Sequence, residues 1–589
     1  MAPQHLVGAS LSALFCNFIT AEAAPVVTTP LGLLQGTIDG PAEAFLGVRY
    51  AQQPERFEKA EADRTPWSGM RSAEHHAPVC WAPSDAPCVS SKPDVDCKSQ
   101  NAGSMSEDCL FLDIWRPLGT SNTSKPKSVM VWIHGGGFTV GDSSDHTGPF
   151  LAAKQDVIVV SVNYRLGPLG FLSLWDFGTP GHGSGSMNGL HDQIIALEWI
   201  NSMIPSFGGD VGSITLFGCS AGGLSTCTLS LSPIASGLFQ RAIFQSGPCL
   251  GPWGPGSHEE GKQVAARVMA QLGVSSVAEL RALPPWKLQW AQGVDQYDVE
   301  FPGFWVDGWV APEAPALRIQ KGVFWNPTSI LLGGTSRDGV VASYVPTLPT
   351  NDSMYFPSMN DHWRPYNESG GIQPTVRTLP RAAGPEVAAA YPLERFEQHG
   401  GGAAGAFKAA DGDYNVVCPA AKIAELATTA GIPTFLYYFT HGPWHQSGCS
   451  KPSTGHNVVV GGWATHGAEQ DFVFGESKQS DTCAFDPSEE ELSNMLQSFW
   501  AAFAKTGVPL APNASEDASS LHWPRYTADR GAALRLETGI QMAPITNFGM
   551  QLALQAGETV DCRFWFNLTS SYSSSQSSSA KLEEPLVNV

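Results

Sequence analysis

Basic residues are scarce in this chain of 589 residues: 34 Lys and Arg stand against 55 Asp and Glu, a formal net charge of −21. An acidic surface repels phosphate backbones, which argues against nucleic acid as a partner. The chain also lacks a polybasic segment for anionic lipid and, beyond its N-terminus, an apolar run that could cross a bilayer. The 42% of hydrophobic residues is typical of a globular chain with a large core.

The N-terminus carries an apolar stretch at residues 6–19 that small polar residues interrupt. Residues 21–24 read AEAA, which fits the A-x-A pattern of a cleavage site. The stretch is too short and too broken for a comfortable membrane anchor. We therefore predict that residues 1–24 are a signal peptide and that the protein is secreted, although this leader has no Lys or Arg before its apolar part.

Secretion would place the 12 cysteines in an oxidising compartment, where those in turn-rich segments are expected to form disulfides. Glycosylation sequons agree with this route and occur at Asn122, Asn351, Asn367, Asn513 and Asn567.

Short apolar runs typical of buried strands alternate with helical patterns along the chain. The strand-like runs are residues 128–133, 157–163, 214–217, 242–245, 328–332 and 434–439, and the helical ones include 192–203 and 221–231. This alternation predicts an α/β fold with a large, mostly parallel central sheet flanked by helices. We assign residues 25–568 to this domain and predict that the Ser-rich residues 569–589 form a disordered tail.

The motif G-x-S-x-G occurs at residues 218–222, after one strand-like run and before a helical one. Such a strand-to-helix turn strains the backbone and exposes the serine hydroxyl near a helix N-terminus. Ser220 is therefore the predicted nucleophile, against the alternative of a chance Gly/Ser turn. Cys219 is a rival nucleophile, but the residue before the serine does not project outward from this turn, so we expect a packed free thiol.

Residues 134–138 read HGGGF and follow the strand-like run 128–133. A polyglycine turn lets backbone N–H groups approach a substrate carbonyl, and preorganised donors stabilise a tetrahedral oxyanion. We predict an oxyanion hole formed by the N–H groups of Gly136, Gly137 and Ala221. The alternative is a flexible glycine turn without a catalytic role.

With these motifs, the chain resembles the carboxylesterase type-B (cholinesterase-like) family of α/β-hydrolases over residues 36–566. Further segments that carry the resemblance are GVRYA at 47–51, SEDCL at 106–110, NYRLG at 163–167, NGLHDQ at 188–193 and FGGD at 207–210. The resemblance implies an α/β-hydrolase fold whose loop insertions form a gorge or lid over the site.

The resemblance also implies the other two members of a catalytic triad. The family's acid corresponds to Asp338 in the segment LLGGTSRDG at 331–339, where the family more often has Glu. The histidine corresponds to His466, because it alone is followed by the family's residues, GAEQDFVFG. The order Ser220, Asp338, His466 is that of an α/β-hydrolase, and neither cofactor nor metal is implied. A surface-turn aspartate at 338 is the alternative.

The same comparison suggests structural pairings. Disulfides are expected at Cys80–Cys109, Cys418–Cys562 and, nested within the first loop, Cys88–Cys97; we add Cys449–Cys483 as a bridge near the catalytic histidine. Cys219, Cys227 and Cys249 are left unpaired. Arg165–Asp192 and Arg56–Glu107 resemble the family's structural ion pairs.

Two departures from cholinesterases bear on the substrate. Residues 98–102 contain no Trp, where cholinesterases bind a quaternary ammonium by cation–π attraction, and Cys219 replaces their usual Glu. We predict a serine carboxylic-ester hydrolase for small-molecule esters with apolar acyl groups, not choline esters. Trp253 and residues 301–305 are expected to line the acyl pocket, with core packing as the alternative. A lipase, or a non-catalytic neuroligin-like binding protein, remains an alternative function.

Overall fold

A mixed β-sheet of eleven strands is the central feature of the computed structural model. The structure describes residues 24–82, 98–99, 103–120, 125–177, 186–290, 305–323, 326–339, 383–397, 402–442, 464–476, 484–510, 523–538, 543–545, 552–553, 559–560 and 562–568. The predicted signal peptide, apart from residue 24, and the predicted tail at 569–589 lie outside these residues.

The strands are short at the edges of the molecule and longest in the centre of the sheet. They are β1 Val26–Thr28, β2 Leu33–Gln35, β3 Thr37–Asp39, β4 Ala42–Arg49, β5 Met70–Ser72, β6 Val79–Cys80, β7 Lys98–Ser99, β8 Gly103–Ser106, β9 Phe111–Pro117, β10 Lys127–Ile133, β11 Ile158–Val162, β12 Gly209–Cys219, β13 Arg241–Gln245, β14 Ser329–Thr335, β15 Thr434–Phe439, β16 Ala533–Leu536, β17 Ala543–Ile545, β18 Leu552–Ala553 and β19 Thr559–Val560.

Helices fill most of the connections between the core strands. They are α1 Pro149–Gln155, α2 Gly167–Phe171, α3 Asn188–Met203, α4 Ala221–Leu231, α5 His258–Leu272, α6 Val277–Ala282, α7 Pro285–Trp290, α8 Pro315–Gln320, α9 Gly384–Ala390, α10 Leu393–Glu397, α11 Gly402–Gly412, α12 Cys418–Thr429, α13 Gln470–Phe474 and α14 Pro487–Thr506. A π-helical turn, Asp413–Val417, joins α11 to α12.

The large sheet has the strand order β17-β16-β15-β14-β13-β12-β10-β11-β9-β4-β3. The strands from β16 to β11 in this order pair in parallel, whereas β17, β9, β4 and β3 pair antiparallel at the two ends. The carboxyl ends of β10, β12, β13 and β14 therefore meet along one edge, where ligand sites of α/β sheets form. The predicted α/β-hydrolase architecture is confirmed.

Core side chains alternate between the two faces of the sheet, as the pleat of a strand requires. In β10, Val129, Val131 and Ile133 belong to one apolar core, and Met130 and Trp132 belong to the other. Helices α3, α5 and α12 pack on the first face, and α1 and α14 on the second. Each fully buried aliphatic side chain of this kind contributes about 1.5–3 kcal/mol, which explains why residues 129–133 are all apolar.

The structure contains two of the expected disulfides and one that was not expected. Cys80–Cys109 and Cys418–Cys562 are both present. The expectation that Cys227 and Cys249 are unpaired was wrong: they form a disulfide with 5.6 Å between their Cα atoms. Helix α4 returns alongside β13, so a cysteine within the helix meets one just after the strand. The suggested pairs Cys88–Cys97 and Cys449–Cys483 lie outside the described residues.

Both expected ion pairs are confirmed as structural contacts. Arg165 and Asp192 are buried and joined by a 2.7 Å contact, and the carboxylate also accepts the Arg165 backbone N–H. Arg56 contacts Glu107 at 2.5 Å. In the part of the chain that the structure describes, none of the helices combines the length and apolar character of a membrane span.

Candidate active site

The strand-to-helix turn at Ser220 has the strained geometry that the motif predicts. Ser220 has φ 58° and ψ −124° and stands between β12 and α4 as the N-cap of the helix. Its N–H donates to the Gln245 carbonyl at 2.9 Å, which anchors the turn to β13. A Cβ added at Gly222 would lie 1.9 Å from the Ile133 carbonyl oxygen, and one at Gly218 would lie 2.5 Å from the Gly222 carbonyl carbon. The turn therefore requires glycine at both positions.

The glycine loop after β10 packs directly against this turn. A Cβ added at Gly135 would lie 3.2 Å from the Ser220 Cβ atom. Gly136 and Gly137 have φ values of 100° and 61°, which favour glycine. Within the described residues, no group accepts a hydrogen bond from the N–H of Gly136, Gly137 or Ala221. Three backbone donors beside the serine are thus available to an oxygen anion.

His134 holds the start of the glycine loop in place. Its ring stacks on Tyr164 with 4.4 Å between centroids, and the Tyr164 hydroxyl donates to the His134 carbonyl at 2.9 Å. Burial lowers the pKa of His134 to about 4, so the imidazole is neutral at pH 7. The loop is therefore supported by a neutral, packed side chain and needs no counter-charge.

Asp338 and His466 form a direct hydrogen-bonded pair. His466 Nδ1 and Asp338 Oδ1 are 2.5 Å apart, and both side chains are buried. The loops that carry them are joined by a hydrogen bond from the Arg337 N–H to the Ala464 carbonyl at 2.9 Å. This bridge brings the two loops close enough for the shorter aspartate side chain to reach the imidazole.

A turn after β13 connects the acid to the serine. The Ser246 hydroxyl donates to Asp338 Oδ2 at 2.8 Å, and the Thr335 N–H donates to the same oxygen at 2.6 Å. The residues on either side of Ser246 contact Ser220. The Gln245 carbonyl accepts a hydrogen bond from the Ser220 N–H, and a Cβ added at Gly247 would lie 2.3 Å from the Ser220 carbonyl oxygen. The turn after β13 therefore links Ser220 to Asp338, and Asp338 bonds His466, at the carboxyl edge of the sheet.

Comparisons with known proteins agree with this geometry. The model of the carboxylesterase family matches residues 23–565. The chain belongs to the carboxylesterase family. It is 33% identical over 537 residues to an acetylcholinesterase of Bungarus fasciatus, covering 87% of this chain and 82% of the relative.

Two solved structures, a thermophilic PNB esterase and a PNB esterase, match this carboxylesterase with TM-scores of 0.68 and 0.66, each at 27% identity and covering 89% of this chain and 98% of theirs. The family and these relatives show that the protein is a carboxylic ester hydrolase.

Cys219, immediately before the serine of this carboxylesterase, is a buried free thiol, as expected from its place in the turn. Burial, and then the charges of Glu469 and Asp338, raise its pKa well above the usual value. A thiol held neutral in this way is a poor nucleophile.

Glu469 is a second buried carboxyl of the esterase site that the sequence did not single out. It accepts hydrogen bonds from the Tyr437 hydroxyl at 2.9 Å and from Gln245 Nε2 at 3.3 Å. Burial, and then the negative charge of Asp338, raise the pKa of this carboxyl. In the sequence, its position three residues after His466 could have identified Glu469 as a residue of the site.

Ser246 is the other site residue that the sequence reasoning missed. Its φ of 46° marks a strained backbone, which is unusual for a residue other than glycine. The sequence did contain an indication of this role, because Ser246 directly follows a core strand, at the same sheet edge as Ser220, where polar side chains converge.

The aromatic residues expected in the acyl pocket divide into two groups. The Trp253 ring meets the His466 ring edge to face, with 5.6 Å between centroids. Trp305 packs in the core, where its indole N–H donates to the Phe171 carbonyl at 3.3 Å and its ring covers Gly261. Trp253 therefore lies at the site and Trp305 is a packing residue; residues 301–304 lie outside the described residues.

Proposed function

We propose that this carboxylesterase hydrolyses esters through a covalent acyl-enzyme on Ser220. The observation that carries the proposal is the Asp338–His466 hydrogen bond, at the sheet edge where the serine turn meets the glycine loop. His466 takes the hydroxyl proton as Ser220 Oγ attacks the ester carbonyl carbon, and then gives that proton to the departing alcohol. Water repeats the sequence on the acyl-enzyme and releases the acid.

Asp338 acts in this scheme as a fixed carboxylate. It holds Nδ1 of His466, so that the other ring nitrogen serves as the base, and it stabilises the imidazolium that forms. The N–H groups of Gly136, Gly137 and Ala221 receive the oxyanion, and one such donor contributes about 3 kcal/mol to the transition state. These three donors are supported as the oxyanion hole by their lack of acceptors among the described residues.

We further propose that the substrates are esters with apolar acyl groups and that choline esters are excluded. The similarity to an acetylcholinesterase makes choline esters the natural alternative. Two features oppose it: no Trp occurs at residues 98–102, and the residue before the serine is the buried, neutral Cys219. Trp253, beside the His466 ring, offers an apolar surface where an acyl chain would lie.

A substrate series tests both parts of the proposal. We expect hydrolysis of p-nitrophenyl butyrate with a higher kcat/KM than the acetate, and no measurable hydrolysis of acetylthiocholine or butyrylthiocholine. The matched control is Ser230→Ala, which removes a buried hydroxyl that donates to the Thr226 carbonyl within α4. Ser220→Ala is expected to lose at least about 10³-fold in kcat. Undiminished turnover by Ser220→Ala would overturn the mechanism, and rapid thiocholine hydrolysis would overturn the specificity. Activation by emulsified triglyceride would favour the lipase alternative.

We also propose that the chain is secreted after loss of residues 1–24. The three disulfides among the described residues support an oxidising compartment. N-terminal sequencing of the protein from the medium of an expressing culture is expected to begin at or next to Pro25. Retention of the apolar stretch at 6–19 in the mature protein would contradict this.

A further inference from the structure

A second cluster of titratable side chains lies on the segments that carry the two halves of the active site. His146 follows the glycine loop and precedes α1, Asp471 lies in α13 just after His466, and Glu476 follows that helix. All three are buried, with exposures of 4%, 8% and 6%. One ligand atom from each lies within 4.8 Å of the others. The proposed ester hydrolysis uses none of them.

The His146 imidazole is aimed at the two carboxylates without hydrogen bonding to them. Nδ1 is fully buried and makes no hydrogen bond in the described part of the chain. It lies 3.6 Å from Glu476 Oε2 and 4.0 Å from Asp471 Oδ1, beyond hydrogen-bond distance. The ring is held in this orientation by stacking on Phe474 at 5.2 Å and by the edge of Trp132 at 5.7 Å.

A histidine between two carboxylates also occurs at His441, where the groups are in direct contact. His441 bonds through its two ring nitrogens to Glu537 at 2.8 Å and to Glu489 at 3.0 Å. That cluster is an ion-paired imidazolium, drawn to contact distance. The wider spacing around His146 is therefore a property of its site and not of a histidine with two carboxylates in general.

The spacing around His146 suits a metal ion. A zinc ion binds nitrogen and oxygen ligands at about 2.0–2.2 Å, which sets the ligands of a tetrahedron roughly 3.4 Å apart. The two separations from His146, 3.6 Å and 4.0 Å, require a small contraction, and all three ligand atoms lie within 4.8 Å of one another. An imidazole nitrogen favours Zn²⁺ or a similar transition metal over Mg²⁺ or Ca²⁺, which prefer oxygen ligands.

Glu476 is already oriented for this role. Its Oε1 accepts hydrogen bonds from both the N–H and the hydroxyl of Thr147, each at 2.8 Å, while Oε2 faces His146. Outer hydrogen bonds of this kind fix the orientation of metal-binding carboxylates. We propose that His146, Asp471 and Glu476 bind a divalent transition-metal ion of the Zn²⁺ class, with water completing the coordination.

The proposed ion is a structural tie. It would join the segment after the glycine loop to the helix after His466, and so hold the oxyanion donors and the general base in fixed relation. It does not touch the reacting atoms. Its expected effect is on stability first, and this is independent of whether the proposed ester hydrolysis is correct.

The test uses the full-length protein stripped with a chelator and then reloaded with Zn²⁺ or Co²⁺. We expect one tightly held zinc per chain by elemental analysis after gel filtration. We also expect Tm to rise by about 2 °C at a zinc concentration a hundredfold above Kd. Co²⁺ at the site should give the visible absorption of a four-coordinate nitrogen–oxygen site.

Two variants and a control make the result specific. His146→Gln and Glu476→Gln should abolish both the stoichiometric zinc and the Co²⁺ absorption, whereas His441→Gln, the control in the other cluster, should retain both. If a variant does not fold, the zinc content and the Co²⁺ absorption of the wild type still decide whether the site binds metal. Failure of the wild type to bind zinc, or full binding by folded His146→Gln, would overturn the proposal. Ester hydrolysis by a metal-free wild type would not.

Discussion

Removing the Ser246 hydroxyl is the most informative single change at the acid of the site. The Ser246 hydroxyl is fully buried and donates to Asp338 Oδ2 at 2.8 Å. When the hydroxyl is removed, this oxygen keeps the hydrogen bond from the Thr335 N–H. A hydrogen bond to a charged group contributes about 1.5–3 kcal/mol. We expect Ser246→Ala to lose that much stability in urea unfolding, because the carboxylate stays buried with one donor fewer.

The same change should lower catalysis through kcat and leave KM nearly unchanged. The carboxylate stabilises the imidazolium only in the transition state, so loss of its second donor loosens the His466 ring where charge develops. If about 1.4 kcal/mol of the hydrogen bond is expressed in the transition state, kcat falls about tenfold. Steady-state kinetics with p-nitrophenyl butyrate measures both constants.

Ser246→Gly is the matched variant, because Ser246 has a φ of 46°. Glycine removes the same hydroxyl but relieves backbone strain of about 1 kcal/mol, so it should be more stable than the alanine variant and equally slow. Wild-type kcat in both variants would refute the role given to this hydroxyl. A matching rise in KM would assign the residue to substrate binding instead.

Three further outcomes follow from the structure. Iodoacetamide should leave Cys219 unmodified in the native enzyme and label it only after unfolding, as intact mass would show, because burial raises the pKa of this thiol. Gly222→Ala should cost more than about 3 kcal/mol of unfolding free energy, or prevent folding, since its Cβ would lie 1.9 Å from a carbonyl oxygen; thermal denaturation measures this. The pKa of His441 is raised to about 9 despite burial, by its two glutamates, so the stability it contributes is present below about pH 6.5 and lost as pH rises through about 9. The free energies of unfolding in urea of wild type and His441→Gln should therefore differ by up to about 3 kcal/mol near pH 6 and by little near pH 10. An equal difference at both pH values would contradict this role of His441.

Local chemistry made the sheet and the serine turn predictable from the sequence. Residues 213–219 before Ser220 are all buried and mostly apolar, and the glycines of the turn are required by contacts shorter than a Cβ allows. Both features act over a few residues and are therefore visible in the sequence. The family resemblance supplied His466 and Asp338, which no local pattern distinguishes from other histidines and aspartates.

Contacts between distant segments were not predictable in the same way. Ser246 acquires its role only because β13 and β14 are adjacent, which brings its hydroxyl to a carboxylate 92 residues away. The Cys227–Cys249 disulfide was not predicted, because Cys227 lies within a buried helix and not in one of the turn-rich segments where disulfides are expected. His146 likewise meets its two carboxylates only across the fold.

The central claim, that Ser220 is the nucleophile and His466 its base, is tested most directly by covalent labelling. The wild type is treated with a fluorophosphonate and the modified peptide is identified by mass spectrometry. We expect one adduct, on Ser220, whose rate of formation falls at least about a hundredfold in His466→Gln. Labelling of another residue, or an unchanged rate in the histidine variant, would contradict it.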